Sequence, residues 1–230
     1  MPIYHPRLTT IDLKETKRYA GLSNKTDFSE NLLAEACTRA QLLVTPKGIW
    51  NIYAYDQDTH TIMAPNPLVL SANNVIRHLH GSVEVAVMAV TIGLTLEQEV
   101  SNLFLQNQYT LGMLLDAAGT TAVEAACDVI CNVIDQHAAR SGLTAGRRFS
   151  PGYGGWSIDI QPDILDLASG GAIGLSVTAS KMLVPRKSVT AIVGLYPYQQ
   201  MLNIPEHQEL SCDKCGHSGC HARKESNNND

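Results

Sequence analysis

The sequence predicts an α+β fold with a mainly antiparallel sheet and helices around it. Two patterns and one compositional bound point there. Helix-like and strand-like stretches interleave along the 230 residues, and several strand-to-strand connections are too short for the crossovers that parallel strands need. Hydrophobic residues make up 44% and charged residues 17%, enough apolar material for a real core and too little charge for a disordered chain.

The elements follow in order. Thr10 is placed to cap a helix through KRYA that Gly21 stops. Asp27 and Glu30 have capping-box spacing ahead of NLLAEACTRAQLLV, which sets Leu32, Leu33, Ala36, Ala40 and Leu43 on one face, and Pro46 ends it. GIWNIYAYD (48–56) reads as a strand. Ser71 is placed to cap VIRHLH, closed by Gly81, and VEVAVMAV (83–90) is a strongly apolar strand. Thr95 and Gln98 give a second capping box before LEQEVSNLFLQN. Residues 109–139 form the longest helical region, where Gly112 and Gly119 mark close helix packing or a break, and Gly142 ends it. A glycine-rich turn follows, RRFSPGYGGW (147–156), then the short helix IQPDILDLA with Pro162 near its start. IGLSVT (173–178) and SVTAIVGL (188–195) read as strands joined by a turn around Pro185. After Pro205 the composition turns polar and rich in Cys and His, so the domain is drawn over residues 1–205 and a tail over 206–230, with KESNNND as a disordered end.

A net charge of −5 argues against a general nucleic-acid coat. The apolar run VEVAVMAVTIGL (83–94) contains Glu84 and is too short for a membrane span, and MPIYHPRLTT lacks the apolar block of a signal peptide. The expectation is a soluble cytoplasmic protein, in which the six cysteines are thiols or metal ligands sooner than disulfides.

The glycine-rich turn carries the chemistry. Arg148 offers a planar fork of donors suited to a carboxylate or phosphate. Gly152 lets a ligand lie against backbone N–H, and Tyr153 supplies a flat face for a base or a cation. Such a set suits a small molecule with a carboxylate, a ring and a positive centre, such as S-adenosylmethionine or some nucleotides. Pro151-Gly152 is equally an ordinary turn dipeptide. Glu124, on the long helix among alanines, either faces solvent or reaches into a site.

R-x-x-x-G-Y at Arg148, Gly152 and Tyr153 resembles the S-adenosylmethionine motif of the activation domain of cobalamin-dependent methionine synthase. KRYAG (17–21), HLHG (78–81), AVTIG (89–93), DAAGTTAVEA (116–125) and LSVTASKMLVPRKSVTAIVGL (175–195) resemble, in order, segments of free-standing activation-domain-like proteins. The resemblance implies a twisted antiparallel sheet with helices around it. It implies that Arg148 binds the methionine carboxylate, that Gly152 with its neighbour Pro151 contacts the nucleoside, that Tyr153 lines the pocket and that Glu124 is an acidic ligand contact. It further implies a partner that carries cobalamin and a flavodoxin- or ferredoxin-type electron donor. No D-x-H-x-x-G cobalamin motif occurs in the chain, so the corrinoid that the resemblance implies is expected on a separate protein. The ligand-contacting Asp near the start of the parent domain has no clear match. Since the cofactors carry the chemistry, no catalytic side chain is nominated.

In the tail, SCDKCGHSGCHAR spaces Cys212, Cys215 and Cys220 as C-x2-C-x4-C, with His217 and His221 beside them. Three thiolates plus one His make a zinc site; three alone hold an iron–sulfur cluster with an outside fourth ligand. The alternative is a mobile tail with reduced thiols. Cys37, Cys127 and Cys131 read as packing residues, and His78 and His80 as helix-end residues in the dipole field. Three functions are weighed: a stand-alone S-adenosylmethionine-binding reactivation factor acting on a corrinoid methyltransferase; a non-catalytic metal-binding docking or electron-transfer module; and, last, another type of methyltransferase, disfavoured because no glycine-rich loop follows a first strand of an alternating α/β pattern.

Overall fold

A computed structural model describes residues 3–23 and 29–198. It consists of α1 (Leu13–Tyr19), α2 (Glu30–Leu43), β1 (Lys47–Asp56), β2 (Thr61–Ile62), β3 (Leu68–Val69), α3 (Asn73–His78), β4 (Glu84–Thr91), α4 (Thr95–Leu105), α5 (Tyr109–Ala139), β5 (Leu143–Phe149), α6 (Gln161–Leu167), β6 (Ser176–Val177), β7 (Leu183–Val184) and β8 (Ser188–Pro197). Among the described residues, six strands form one sheet in the order β3-β2-β1-β4-β8-β5, and β6 and β7 form a separate hairpin. Every pairing is antiparallel, so the predicted α+β class holds.

The apolar run of β4 explains the layering. Side chains alternate across a strand, so a strand apolar at every position must be covered twice. Ala86, Met88 and Val90 point into one core with α1, α2, α4 and α5. Val85, Val87 and Ala89 point into a second core with α3, α6 and the β2–β3 side of the sheet. β8 follows the same rule, with Ala191, Val193 and Leu195 in the first core and Ile192 in the second.

Helix α5 is the spine of the first layer. At 31 residues it is about 46 Å long. It is long and apolar enough to cross a membrane by length and composition alone. Its small residues Ala117, Ala118, Ala122 and Ala126 are buried against the rest of the fold, as suits a core helix. The approach is close: a Cβ on Gly48 would overlap Ile130 Cδ1, and one on Gly119 would stand 2.7 Å from Leu96. Gly112 and Gly119 therefore mark packing, and the helix runs through both without a break.

Several local expectations are corrected. Asp12, not Thr10, caps α1, because its carboxylate accepts the Glu15 N–H at 2.8 Å. Neither Ser71 nor Thr95 is a cap: Ala72 and Leu94 hold those positions without a side-chain bond, and Thr95 is already the first helical residue. Asp27 lies outside the described residues. Residues 170–173 form a 3-10 turn ended by Gly174 at φ 86°, so the strand expected at 173–178 shrinks to β6, which pairs with β7 and not with β8. Arg147, Arg148 and Phe149, expected in a turn, extend strand β5 instead.

Tyr196, near the end of β8, is 1% exposed. Its side chain lies against two glycines, since a Cβ on Gly146 would come within 2.7 Å of the ring and one on Gly194 within 2.6 Å of the hydroxyl. Its hydroxyl donates to the His78 carbonyl at 2.6 Å, tying β8 to the end of α3. Burial, with a smaller contribution from Tyr55, pushes this phenol up to about 12. A phenol raised above its unfolded value of about 10 stabilises the fold fully below that pH and loses the contribution as pH climbs to about 12. Urea unfolding should therefore show stability falling over that window. Tyr196→Phe should flatten the fall and cost about 0.5–1.5 kcal/mol at pH 7 through the lost bond to the His78 carbonyl. A fall of unchanged steepness in the variant would contradict the assignment.

Candidate ligand site at the sheet edge

The site begins with an irregularity in β5, the terminal strand of the sheet. Ala145 pairs with Leu195 and Arg148 with Val193, so three steps along β5 match two along β8. One extra residue is accommodated as a bulge. Leu195 and Val193 both face the first core, so Ala145 and Arg148 do as well. Without the bulge, regular alternation would turn Arg147 toward α5 and Arg148 away. Gly146 belongs to this slip, where its missing side chain leaves room for the Tyr196 ring.

Arg148 thereby reaches helix α5. Its Nη2 donates to Glu124 Oε2 and its Nη1 donates to Asp128 Oδ1. Glu124 and Asp128 are four residues apart and so share a helix face. The Arg148 side chain is 25% exposed, Glu124 35% and Asp128 69%, so the cluster is seated at its base and wet at one rim. Burial alone would lower the guanidinium, but neighbouring Cys127, Asp128 and Glu124 outweigh it and hold the group above its ordinary value. Burial pushes the Cys127 and Cys131 thiols up, so both stay protonated at neutral pH. Burial together with the charge of Glu124 also raises the Tyr19 phenol on α1, which places Tyr19 within electrostatic reach of the cluster.

The same flank of α5 carries further polar anchors. Asp135 accepts from the Thr144 hydroxyl at 3.2 Å and the Ala145 N–H at 2.8 Å, pinning the start of β5. Asp116 and Thr120 accept from Lys187 Nζ at 2.9 Å and 2.8 Å, while buried Glu97 accepts the Lys187 N–H at 2.7 Å. Acidic side chains of α5 thus hold the bulged strand, and with Glu97 of α4 they hold the entry to β8.

The glycine turn leaves the opposite side of β5. Phe149 faces the second core, where its ring sits 5.0 Å from His78 and 6.0 Å from Trp156. His78 Nε2 contacts the Arg147 carbonyl at 2.8 Å. The turn is closed by Gly152 N–H donating to Trp156 O and Trp156 N–H to Tyr153 O, both at 2.9 Å, so the Gly152 N–H expected to face a ligand is instead spent within the turn, and Asn74 of α3 donates to the Gly154 carbonyl. Gly152, Gly154 and Gly155 all have positive φ, a conformation that suits glycine. Pro151 is buried, and Tyr153 is 72% exposed.

The structure therefore joins Arg148 to Glu124, and sets Pro151, Gly152 and Tyr153 at the end of the same strand but toward its other face. Asp128, Asp135 and Asn74 were missed. The i,i+4 acidic spacing of Glu124 and Asp128 was a usable signal; nothing local in the sequence pointed to Asn74. Among the described residues no group of three or more His, Cys, Asp or Glu side chains is placed to hold a metal. Cys212, Cys215 and Cys220 lie outside them. Away from this edge, a concavity of about 660 Å³ is lined by Val100, Phe104, Leu105, Met113, Asp116 and Arg186, with Leu105 prominently exposed.

No protein-family model matches the chain, and no curated protein matches it. Among solved structures, the chain is similar to the MetH reactivation domain bound to AdoHcy, with 13% identity, a TM-score of 0.57, and 86% of this chain and 79% of that chain covered. The protein thus has the α+β architecture of the reactivation-domain fold: a twisted antiparallel sheet with surrounding helices.

Because Cys127 is fully buried beneath Arg148, iodoacetamide at pH 8 should leave it unmodified in the native protein and alkylate it in urea, as read by peptide mass spectrometry. Rapid native alkylation would contradict this packing.

Proposed function

We propose that the protein binds S-adenosylmethionine at the end of β5 and acts as a reactivation factor for a cobalamin-carrying methyltransferase. The observation that carries this reading is the Arg148–Glu124 pair on a bulged edge strand that leads into the Pro151-Gly152-Tyr153 turn, within a fold shared with a domain solved with AdoHcy bound. The residues suit the ligand. The Arg148 fork matches a carboxylate, Glu124 matches an ammonium or sulfonium charge, and the exposed Tyr153 ring offers its face to a nucleoside. Bound S-adenosylmethionine would supply an activated methyl group. The protein's own part is to orient it toward a partner at an open edge, with electrons from a flavodoxin- or ferredoxin-type donor. No side chain is required as acid or base.

Calorimetry with S-adenosylmethionine and S-adenosylhomocysteine should give saturable binding by millimolar ligand. Arg148→Ala should weaken it at least about tenfold, the loss of one charge-assisted bond of about 1.5–3 kcal/mol. An unchanged affinity would remove Arg148 from the site. Methylation of cob(II)alamin on a purified corrinoid partner, with reductant supplied, tests the role itself.

A second reading, motivated by the spacing of Cys212, Cys215 and Cys220, is a metal-binding docking or electron-transfer module for a corrinoid protein. The purified full chain would then carry zinc, or iron with sulfide, lost on removing residues 206–230. Elemental analysis finding neither metal in anaerobically prepared protein would end that reading.

A further inference from the structure

Asp128 has no role in the ligand contacts assigned above, yet it takes half of the Arg148 fork. The two carboxylates on that fork are unequal. Glu124 binds Nη2 and is 35% exposed, whereas Asp128 binds Nη1 and is 69% exposed. An ion pair this open to solvent contributes about 0–1 kcal/mol. Of the two carboxylates on the fork, the one on Nη1 is thus the more open to solvent and the one on Nη2 the more enclosed. A carboxylate arriving from solvent therefore meets Nη1 first, and the group it must replace there is another carboxylate.

Resting on the ligand reading above, we propose that Asp128 is a displaceable internal occupant of the Arg148 fork. A ligand carboxylate binds by taking its place on Nη1, while Glu124 stays on Nη2 and holds the guanidinium in plane. Asp128 thereby sets the affinity for the amino-acid end of the ligand and leaves the nucleoside end untouched. It also keeps the fork aligned in the unliganded protein, where an unpaired arginine would sample other rotamers. A site that gives up an internal ion pair on binding has its affinity tuned downward, as suits a protein that must release a spent nucleoside product.

Two measurements on Asp128→Asn and Glu124→Gln separate this proposal from the ligand reading. The first needs no ligand: phenylglyoxal modification of Arg148, followed by mass spectrometry, should run about twofold or more faster in Asp128→Asn, since the outward half of the fork is uncovered. The second is calorimetry with S-adenosylhomocysteine and with 5′-methylthioadenosine, which lacks the amino-acid end. Asp128→Asn should bind S-adenosylhomocysteine about two- to fivefold more tightly, the equivalent of a surface ion pair no longer broken, with 5′-methylthioadenosine unchanged. Glu124→Gln should weaken S-adenosylhomocysteine. Weaker or unchanged S-adenosylhomocysteine binding in Asp128→Asn would overturn the proposal, as would an unchanged modification rate. Faster modification with no nucleoside bound by any variant would keep Asp128 as the fork's occupant and sink the nucleoside reading instead.

Discussion

The close approach of α5 to the sheet governs the rest of this molecule. A 31-residue helix can lie across β1, β4 and β8 only where both surfaces are low. Alanines at 117, 118, 122 and 126 lower the helix. Gly48 lowers the sheet, since a Cβ there would overlap Ile130. Interiors packed at crystal-like density leave such a contact little slack. Helices α1, α2 and α4 pack on α5 in turn, by details as small as the 3.1 Å bond from Thr16 to Thr121 and the Phe104 ring over Gly112. The helix is thereby fixed along its length, and so are the acidic side chains on its flank.

That fixed flank meets a strand with one residue too many. Both central strands are buried on two sides, which leaves them no room for charge, so the polar chemistry falls to the sheet's edge. There the bulge in β5 aims Arg148 at α5. Asp135 pins the strand before the bulge, Glu124 and Asp128 take the arginine after it, and the glycine turn begins two residues later. An edge strand offers what a shallow ligand site needs: a rigid base on one side and solvent on the other. The Arg148 half is built on α5 and the glycine-turn half on α3, through Asn74 and His78. A ligand spanning the strand's end would read both layers of the fold at once.

Much of the fold was legible in the sequence. The bounds of α5 were read directly, because a long apolar helical pattern between Tyr109 and Ala139 outweighs two internal glycines. β1, β4 and β8 were legible from their apolar runs. The motif residues Arg148, Gly152 and Tyr153 stood out by composition, but their placement did not. Strand β5 was hidden because the glycines after Phe149 made the whole stretch look like a turn, and because a bulge breaks the two-residue alternation by which strands are recognised. The caps were misread at Thr10, Ser71 and Thr95, where the hydroxyl residue sits one or two positions from the true helix start. Glu124 was legible on the long helix, and the i,i+4 spacing marked Asp128 beside it, but the pairing of both with Arg148 on a distant strand leaves no local trace.

The central claim is that a nucleoside ligand binds across the end of β5. The most direct test is to map amide and arginine side-chain NMR shifts during titration with S-adenosylhomocysteine. The account predicts the largest changes at the Arg148 guanidinium, at Glu124 and through Gly152–Gly155, with the Phe104–Met113 concavity unmoved. Shifts centred on that concavity, or none at Arg148 at saturating ligand, would contradict it.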